Sequence, residues 1–166
     1  MEDRSDSNAG DARKAALKMD ARTFRETGHE LVDTIADLLE TLPERPLTPG
    51  EHPDAVRAAL GGDGLPDGGQ PAAEVVRSTA EFLIEHSLYN GHPRFWGYIT
   101  SSPAPIGMLA DFLAAAVNPN VGGWLLSPAA SEIEAQTVRW IAELTGYPVD
   151  CGGLLVSGGN VANAVG

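Results

Sequence analysis

The segment Ser157-Gly158-Gly159-Asn160 has residue types that could form an anion-binding turn. Gly158 and Gly159 permit positive φ angles and a close approach of a ligand to the backbone, and Asn160 can cap the helix predicted to begin there. The first N–H groups of such a helix have no internal partners, and the helix dipole adds positive potential. A turn of this kind can hold a phosphate group without a lysine. Because the spacing of a Walker loop or a G-x-G-x-x-G fingerprint is missing, the same residues also fit a turn without a ligand.

The other reactive side chains give weaker signals. Cys151 is the single cysteine, which excludes an internal disulfide and a cysteine-only metal cage. None of the four histidines is spaced with Cys151 or a carboxylate as metal ligands are, so we expect no metal site. Ser101 and Ser102 lack the strand-turn-helix elbow that surrounds a serine nucleophile. Glu132 and Glu134 fall early in a predicted helix, where acidic side chains stabilise the helix dipole.

Composition and charge restrict the classes of protein and partner. The chain has 166 residues, 43% of them hydrophobic, which suits one ordinary domain or part of a larger one. Its net charge of −12 argues against binding to nucleic acid backbones or to anionic membranes. It contains neither an apolar run long enough to span a bilayer nor a signal-like start, so we expect a soluble cytoplasmic protein.

The elements that must position these residues are predicted to be mostly helical. The polar residues 1–19 are expected to form a disordered tail. Apolar residues at three- and four-residue spacing predict an amphipathic helix over Ala21–Leu42, with Asp20 as its cap. Prolines end this helix and predict an extended strap, and GGDGLPDGGQP predicts a flexible loop. Further helices are predicted over Pro53–Leu60 and Pro71–His86.

The second half of the chain leads toward the glycine turn. After the irregular, aromatic-rich GHPRFWGYITSSPAP, residues Ile106–Asn118 are apolar nearly all round, which predicts a buried helix. Ser127 as a hydroxyl cap and Pro128 as the first helical residue predict another helix, which Gly146 ends. Leu154–Val156 predicts a short strand before the turn. A single strand without a partner favours an incomplete domain.

Three segments in this order resemble one known family. They are HPRFWGYITSSPAPIGMLADFLAAAVN, then W-x-x-SPAASEIEAQTVRWIAELTGYP, then GGLLVSGGNVAN. They are similar to the amino-terminal part of the group II pyridoxal-phosphate-dependent amino acid decarboxylases, with the aromatic-L-amino-acid decarboxylases as the most similar members. The helix FRETGHELVDTIADLLETL and the proline strap are also similar to the amino-terminal arm of that family. The resemblance covers the chain from about Asp20 to Gly166.

The resemblance implies an α/β enzyme of fold type I that works as a homodimer. In this chain it implies a helical arm over residues 20–90, which would wrap the partner subunit, and the start of the large domain over residues 91–166. The implied cofactor is pyridoxal 5'-phosphate, joined as a Schiff base to a lysine, and the implied substrate is an L-amino acid that loses CO₂.

Gly158, Gly159 and Asn160 match the phosphate-binding turn of the family. The family commonly has a small hydroxyl residue at the third position, so the side-chain amide of Asn160 would have to replace that hydroxyl. The backbone donors of the turn are unaffected by this change.

Other matching positions belong to the substrate wall that the resemblance implies. Ser101 stands where the aromatic enzymes have a hydroxyl residue near the substrate carboxylate, with Tyr98 and His92 in the same wall. Because it precedes a proline, His92 also fits a loop residue without a binding role. Around Val121 and Gly122 the family contributes side chains to the active site of the partner subunit. Because Gly122 replaces a large aromatic residue, we expect a reshaped substrate pocket.

The lysines set a limit on the activity of this chain. Lys14 and Lys18 are the only lysines, and neither matches the Schiff-base position of the family. The 166-residue chain alone is therefore expected to be inactive, and to be a fragment whose function belongs to a longer enzyme. Two alternatives stay open: a non-catalytic dimerisation or interaction module, and another fold-type-I enzyme such as an aminotransferase or a carbon–carbon lyase.

Overall fold

The structure is a computed structural model that describes residues 18–61, residue 64 and residues 68–166. Lys14, with most of the predicted tail, and the middle of the predicted glycine-rich loop lie outside the described residues. The chain divides into two compact units, the first ending at Ser102 and the second covering Pro103–Gly166. The predicted division between residues 90 and 91 stays a prediction.

The first unit is built from α1 (Ala21–Thr41), α2 (Pro53–Leu60) and α3 (Ala72–His86), and α1 packs against α3. A short 3₁₀ turn, Leu42–Glu44, ends α1 where the prolines begin. These bounds agree with the predicted helices to within one residue.

Asp20 is the N-cap of α1, as the sequence predicts. Its Oδ1 accepts the backbone N–H of Thr23 at 2.8 Å, and its Oδ2 accepts the Thr23 hydroxyl at 3.1 Å. The backbone bond first, and the hydroxyl bond second, lower the pKa of the Asp20 carboxyl below its ordinary value, because both donors stabilise the charged form.

The second unit contains α4 (Pro105–Val117), α5 (Pro128–Thr145) and α6 (Gly158–Val165), with a 3₁₀ turn at Trp124–Leu126. Pro128 opens α5 as predicted, but the Ser127 side chain makes no capping hydrogen bond among the described residues.

The end of α5 follows the predicted glycine signal. Gly146 has a φ of 70°, in the left-handed region. The N–H of Tyr147 donates to the carbonyl oxygen of Ala142 at 2.8 Å, which is the bond of a Schellman motif.

Two predictions about the second unit are wrong. Leu154–Val156 forms no strand, and no strand occurs in the described part of the chain. A strand needs a neighbouring strand for its hydrogen bonds, and the described residues supply none. The predicted buried helix, α4, has no buried residue within its unit. Its apolar surface predicts that other residues pack against it, but the residues of its own unit do not cover that surface.

Burial is low throughout the described residues. Those buried are Thr27, His92 and Ala142, while many large apolar side chains are exposed. None of the helices in the described part of the chain combines the length and apolar content needed to cross a bilayer.

Candidate functional site

The predicted anion-binding turn forms the start of α6. Gly158 has a φ of 78°, a left-handed value that a side chain would strain, so a glycine is required where the chain turns into the helix. Ser157 occupies the N-cap position, and its side chain makes no capping bond among the described residues. Asn160 lies in the first helical turn instead of capping it, which corrects the predicted cap. The N-cap position is Ser157, three residues before Asn160, because the chain turns into the helix at Gly158.

The first turn of α6 presents donors to an open surface. Gly158, Gly159 and Asn160 are all exposed, and their N–H groups precede the first intrahelical hydrogen bonds of α6. Apart from adjacent residues and the backbone of α6 itself, nothing described lies within 4 Å of a Cβ built on either glycine. Exposed amide donors at a helix start fit the phosphate group of a cofactor.

Two glutamates of α5 make contacts that the sequence did not predict. The Glu132 carboxylate accepts the indole N–H of Trp124 at 2.8 Å. The Glu134 carboxylate accepts the backbone N–H of Leu155, also at 2.8 Å, and so holds the segment that enters the glycine turn. Helix-dipole stabilisation was the predicted role of both residues. Their partners lie 8 and 21 residues away, and only the spacing S-P-x-x-x-E-x-E marks them in the sequence.

In the first unit, His92 is buried, with only 2% of its surface exposed. The backbone N–H of Arg94 donates to its Nδ1 at 3.0 Å, which requires that Nδ1 carries no proton. Its Nε2 therefore carries the proton, and this N–H donates to the carbonyl oxygen of Arg45 at 3.1 Å. The Arg94 guanidinium donates to the same oxygen at 3.1 Å.

Further bonds join the proline strap to the residues around His92. The N–H of Tyr89 donates to the carbonyl oxygen of Leu47 at 3.1 Å, and the Tyr89 hydroxyl donates to the carbonyl oxygen of Ile84. His86 Nδ1 lies 2.7 Å from Glu51 Oε2 and donates to it, because a carboxylate only accepts. The strap therefore has several attachments to the segment that precedes the predicted substrate wall.

The predicted wall residues differ in what they present. Tyr98 and Ser101 are exposed, whereas the imidazole of His92 is already engaged at both nitrogens. Tyr98 has a φ of 58°, which is uncommon for a residue with a side chain and is often associated with functional sites. Its ring lies 6.4 Å from that of Phe95, measured between centroids.

The turn at Gly122 belongs to the second unit. Its N–H donates to the side-chain oxygen of Asn120 at 2.9 Å. A Cβ at position 122 would lie 2.9 Å from that same oxygen, so a side chain there requires Asn120 to move. Glycine at position 122 thus leaves room for the Asn120 side chain, in addition to lacking the aromatic side chain that the resemblance implies there.

The predicted site residues fall in both units. His92, Tyr98 and Ser101 belong to the first, and the glycine turn and Gly122 belong to the second. Cys151 is a free, half-buried thiol. Across residues 18–61, 64 and 68–166, no group of three or more histidines, cysteines or acids is arranged to hold a metal ion.

Comparisons with known proteins point to one family. Residues 58–166 match the family model described as the pyridoxal-dependent decarboxylase conserved domain. An aromatic-L-amino-acid decarboxylase of Bacillus atrophaeus is 29% identical over 147 residues, covering 89% of this chain and 30% of the relative. A tyrosine decarboxylase of Oryza sativa subsp. japonica is 31% identical over 157 residues, covering 93% and 29%. The chain thus spans roughly a third or less of the length of these relatives.

A solved structure extends the comparison to the fold. The crystal structure of Oryza sativa TDC with PLP and tryptamine matches with a TM-score of 0.71 at 22% identity, covering 81% of this chain and 28% of that chain. This likeness confirms the predicted fold-type-I class, of which the described residues form a mostly helical part.

Proposed function

The chain belongs to the pyridoxal-dependent decarboxylase family, and we propose that it supplies the phosphate-binding turn and the substrate wall of an L-amino acid decarboxylase. The proposed cofactor is pyridoxal 5'-phosphate, whose ring takes up the electron pair left when the substrate carboxylate departs as CO₂. The relatives named as aromatic-L-amino-acid and tyrosine decarboxylases support this class of reaction.

The single observation that carries the proposal is the exposed first turn of α6. We propose that the N–H groups of Gly158, Gly159 and Asn160 bind the cofactor phosphate, with the helix dipole adding to the attraction. The Asn160 side-chain amide adds a donor in place of a hydroxyl. These donors are largely backbone groups, so their orientation depends on the path of the chain into the turn.

The substrate wall is proposed to include Tyr98 and Ser101. Both side chains are exposed, and the Ser101 hydroxyl can donate to a substrate carboxylate. For His92 we propose a supporting part in this wall, since its two ring nitrogens already bind Arg45 and Arg94. We further propose that the Val121–Gly122 turn faces the active site of the partner subunit, where the missing side chain enlarges the pocket.

We also propose a homodimer formed through the helical arm. Large apolar side chains of the first unit are exposed, among them Val32, Leu60 and Leu83, and an oligomer would cover such surface. A cytoplasmic location stays a prediction from the sequence. Light scattering on the purified protein tests the dimer, and a monomer at micromolar concentration would contradict it.

The phosphate site is tested by comparing pyridoxal 5'-phosphate with pyridoxal, which lacks the phosphate. Gly158→Ala strains a left-handed residue, so affinity for the phosphorylated ligand should fall about tenfold, with little change for pyridoxal. Gly152→Ala is the matched control, because the space around position 152 is open and its φ is not in the left-handed region. Equal affinity of the unaltered protein for both ligands would contradict the proposal.

The reaction itself is tested by CO₂ release from a panel of L-amino acids in the presence of the cofactor. We expect release only from a polypeptide that carries a lysine beyond Lys14 and Lys18. Self-association without any preference for the phosphorylated ligand would favour the alternative, a non-catalytic dimerisation module.

A further inference from the structure

A carboxylate of α5 reaches the segment that enters the glycine turn. Glu134 Oε1 accepts the backbone N–H of Leu155 at 2.8 Å, a bond between residues 21 positions apart. Glu134 is half-buried, and Leu155 precedes Gly158 by three residues. The bond is charge-assisted, and the described residues form no strand that would occupy this N–H instead.

A second contact fixes the same segment against the same helix. A Cβ on Gly153 would lie 2.7 Å from Cγ1 of Val138, so the backbone at position 153 lies close against that side chain. Val138 follows Glu134 by four residues, which places both on one face of α5. One face of the helix therefore holds the segment at positions 153 and 155, immediately before the turn.

We propose that Glu134 is a positioning residue for the phosphate-binding turn. Its carboxylate fixes the path of residues 153–155, and this path sets the direction in which the amides of Gly158 and Gly159 point. The inference rests on the proposed function, because it assigns Glu134 to the binding of the cofactor phosphate without contact to that group. The role of the carboxylate is to accept a hydrogen bond, since its negative charge by itself would oppose a nearby phosphate.

Two substitutions of Glu134 separate the effect of the hydrogen-bond acceptor from the effect of the negative charge. Glu134→Ala removes the acceptor, and we expect affinity for pyridoxal 5'-phosphate to fall about tenfold, the loss typical of one hydrogen bond to a charged group. Glu134→Gln keeps an acceptor oxygen and removes the charge, so its affinity should stay within about twofold of the unaltered protein.

The measurement compares pyridoxal 5'-phosphate with pyridoxal for each variant of the full chain. A role limited to stability would lower both affinities together, whereas positioning of the turn lowers only that for the phosphorylated ligand. Glu132→Ala is the matched control, because it breaks a 2.8 Å bond from the same helix to Trp124 and leaves residues 153–155 untouched. Hydrogen exchange at the Leu155 amide should accelerate in Glu134→Ala alone.

A second experiment leaves Glu134 unchanged and tests the path of residues 153–155 even if the Glu134→Ala variant does not fold. Gly153→Ala presses a Cβ against Val138 and should displace the segment, weakening the phosphorylated ligand selectively. Adding Val138→Ala relieves the contact and should restore the affinity. If the double variant binds no better than Gly153→Ala, or Gly153→Ala binds normally, the inference is overturned.

The failure of this inference differs from failure of the proposed function. If the unaltered protein does not prefer the phosphorylated ligand, the phosphate site is wrong. If it does prefer that ligand and Glu134→Ala keeps the preference, Glu134 does not position the turn.

Discussion

The Nε2–H of His92 donates to the carbonyl oxygen of Arg45 at 3.1 Å and so joins residues 47 positions apart. The other ring nitrogen accepts the N–H of Arg94, which makes the imidazole a neutral bridge between the proline strap and the aromatic segment. His92 is the most buried polar residue described in its unit, so the loss of a partner leaves its ring little access to water.

His92→Ala should destabilise the first unit. The change leaves the Arg94 N–H without its acceptor and opens a small cavity, so we expect the free energy of unfolding to fall by about 2 kcal/mol in urea denaturation. His29→Ala, on the exposed surface of α1, is the control and should change it little. Equal effects of the two substitutions would mean that the bridge contributes nothing.

Asp20 should make the stability of α1 depend on pH in the acid range. Its pKa is lowered in the folded chain from an ordinary value of 3.8, because the charged carboxylate accepts the Thr23 N–H and then the hydroxyl. Its contribution is therefore fully present above the unfolded pKa and is lost as the pH falls through the lower, folded value.

The measurement is thermal unfolding of the unaltered protein and of Asp20→Ala at pH values from about 2 to about 7. The difference in midpoint should be constant above about pH 5 and should shrink below about pH 4. Asp33→Ala, in the middle of the same helix, is the control. A difference that persists unchanged at the acid end would contradict the assigned cap.

The glycine at position 122 should be coupled energetically to Asn120. Gly122→Ala puts a Cβ 2.9 Å from the Asn120 side-chain oxygen, which already accepts a hydrogen bond from the N–H of residue 122. Because the new Cβ disturbs that bond, the substitution should lower the free energy of unfolding by about 1 kcal/mol. The same substitution in an Asn120→Ala background should cost less, because the conflicting oxygen is gone. Gly107→Ala, whose Cβ would meet only an ordinary contact at 3.9 Å, is the control. Additive effects of the two substitutions would argue against the coupling.

An apolar stripe along α4 should promote self-association. Leu109, Leu113 and Val117 repeat at four-residue spacing and are between 55% and 66% exposed. We expect the 166-residue chain to sediment as oligomers or aggregates at micromolar concentration, and Leu113→Asp to reduce this association. Ala115→Asp, on the opposite side of the helix, is the matched control. A monodisperse monomer with a cooperative melting transition would contradict the expectation.

Local signals in the sequence determined most of the helix boundaries. Asp20 begins α1 through a bond to a residue three positions away, and Gly146 ends α5 through backbone bonds within the last turn. Pro128 begins α5 because its fixed φ suits a first helical position. These effects depend on near neighbours, so one sequence suffices to predict them.

Tertiary structure alone decided which groups meet. The sequence predicts a strand over Leu154–Val156, whereas the N–H of Leu155 donates to the Glu134 carboxylate. The predicted effect of Glu134 on the helix dipole gave no sign of this contact. The bonds of the His92 ring to Arg45 and Arg94 could not be predicted from the sequence either, and its place in a substrate wall stays a prediction. The physical reason is range: propensities and caps act within a turn of helix, but a hydrogen bond across 21 or 47 residues exists only after the intervening chain has folded.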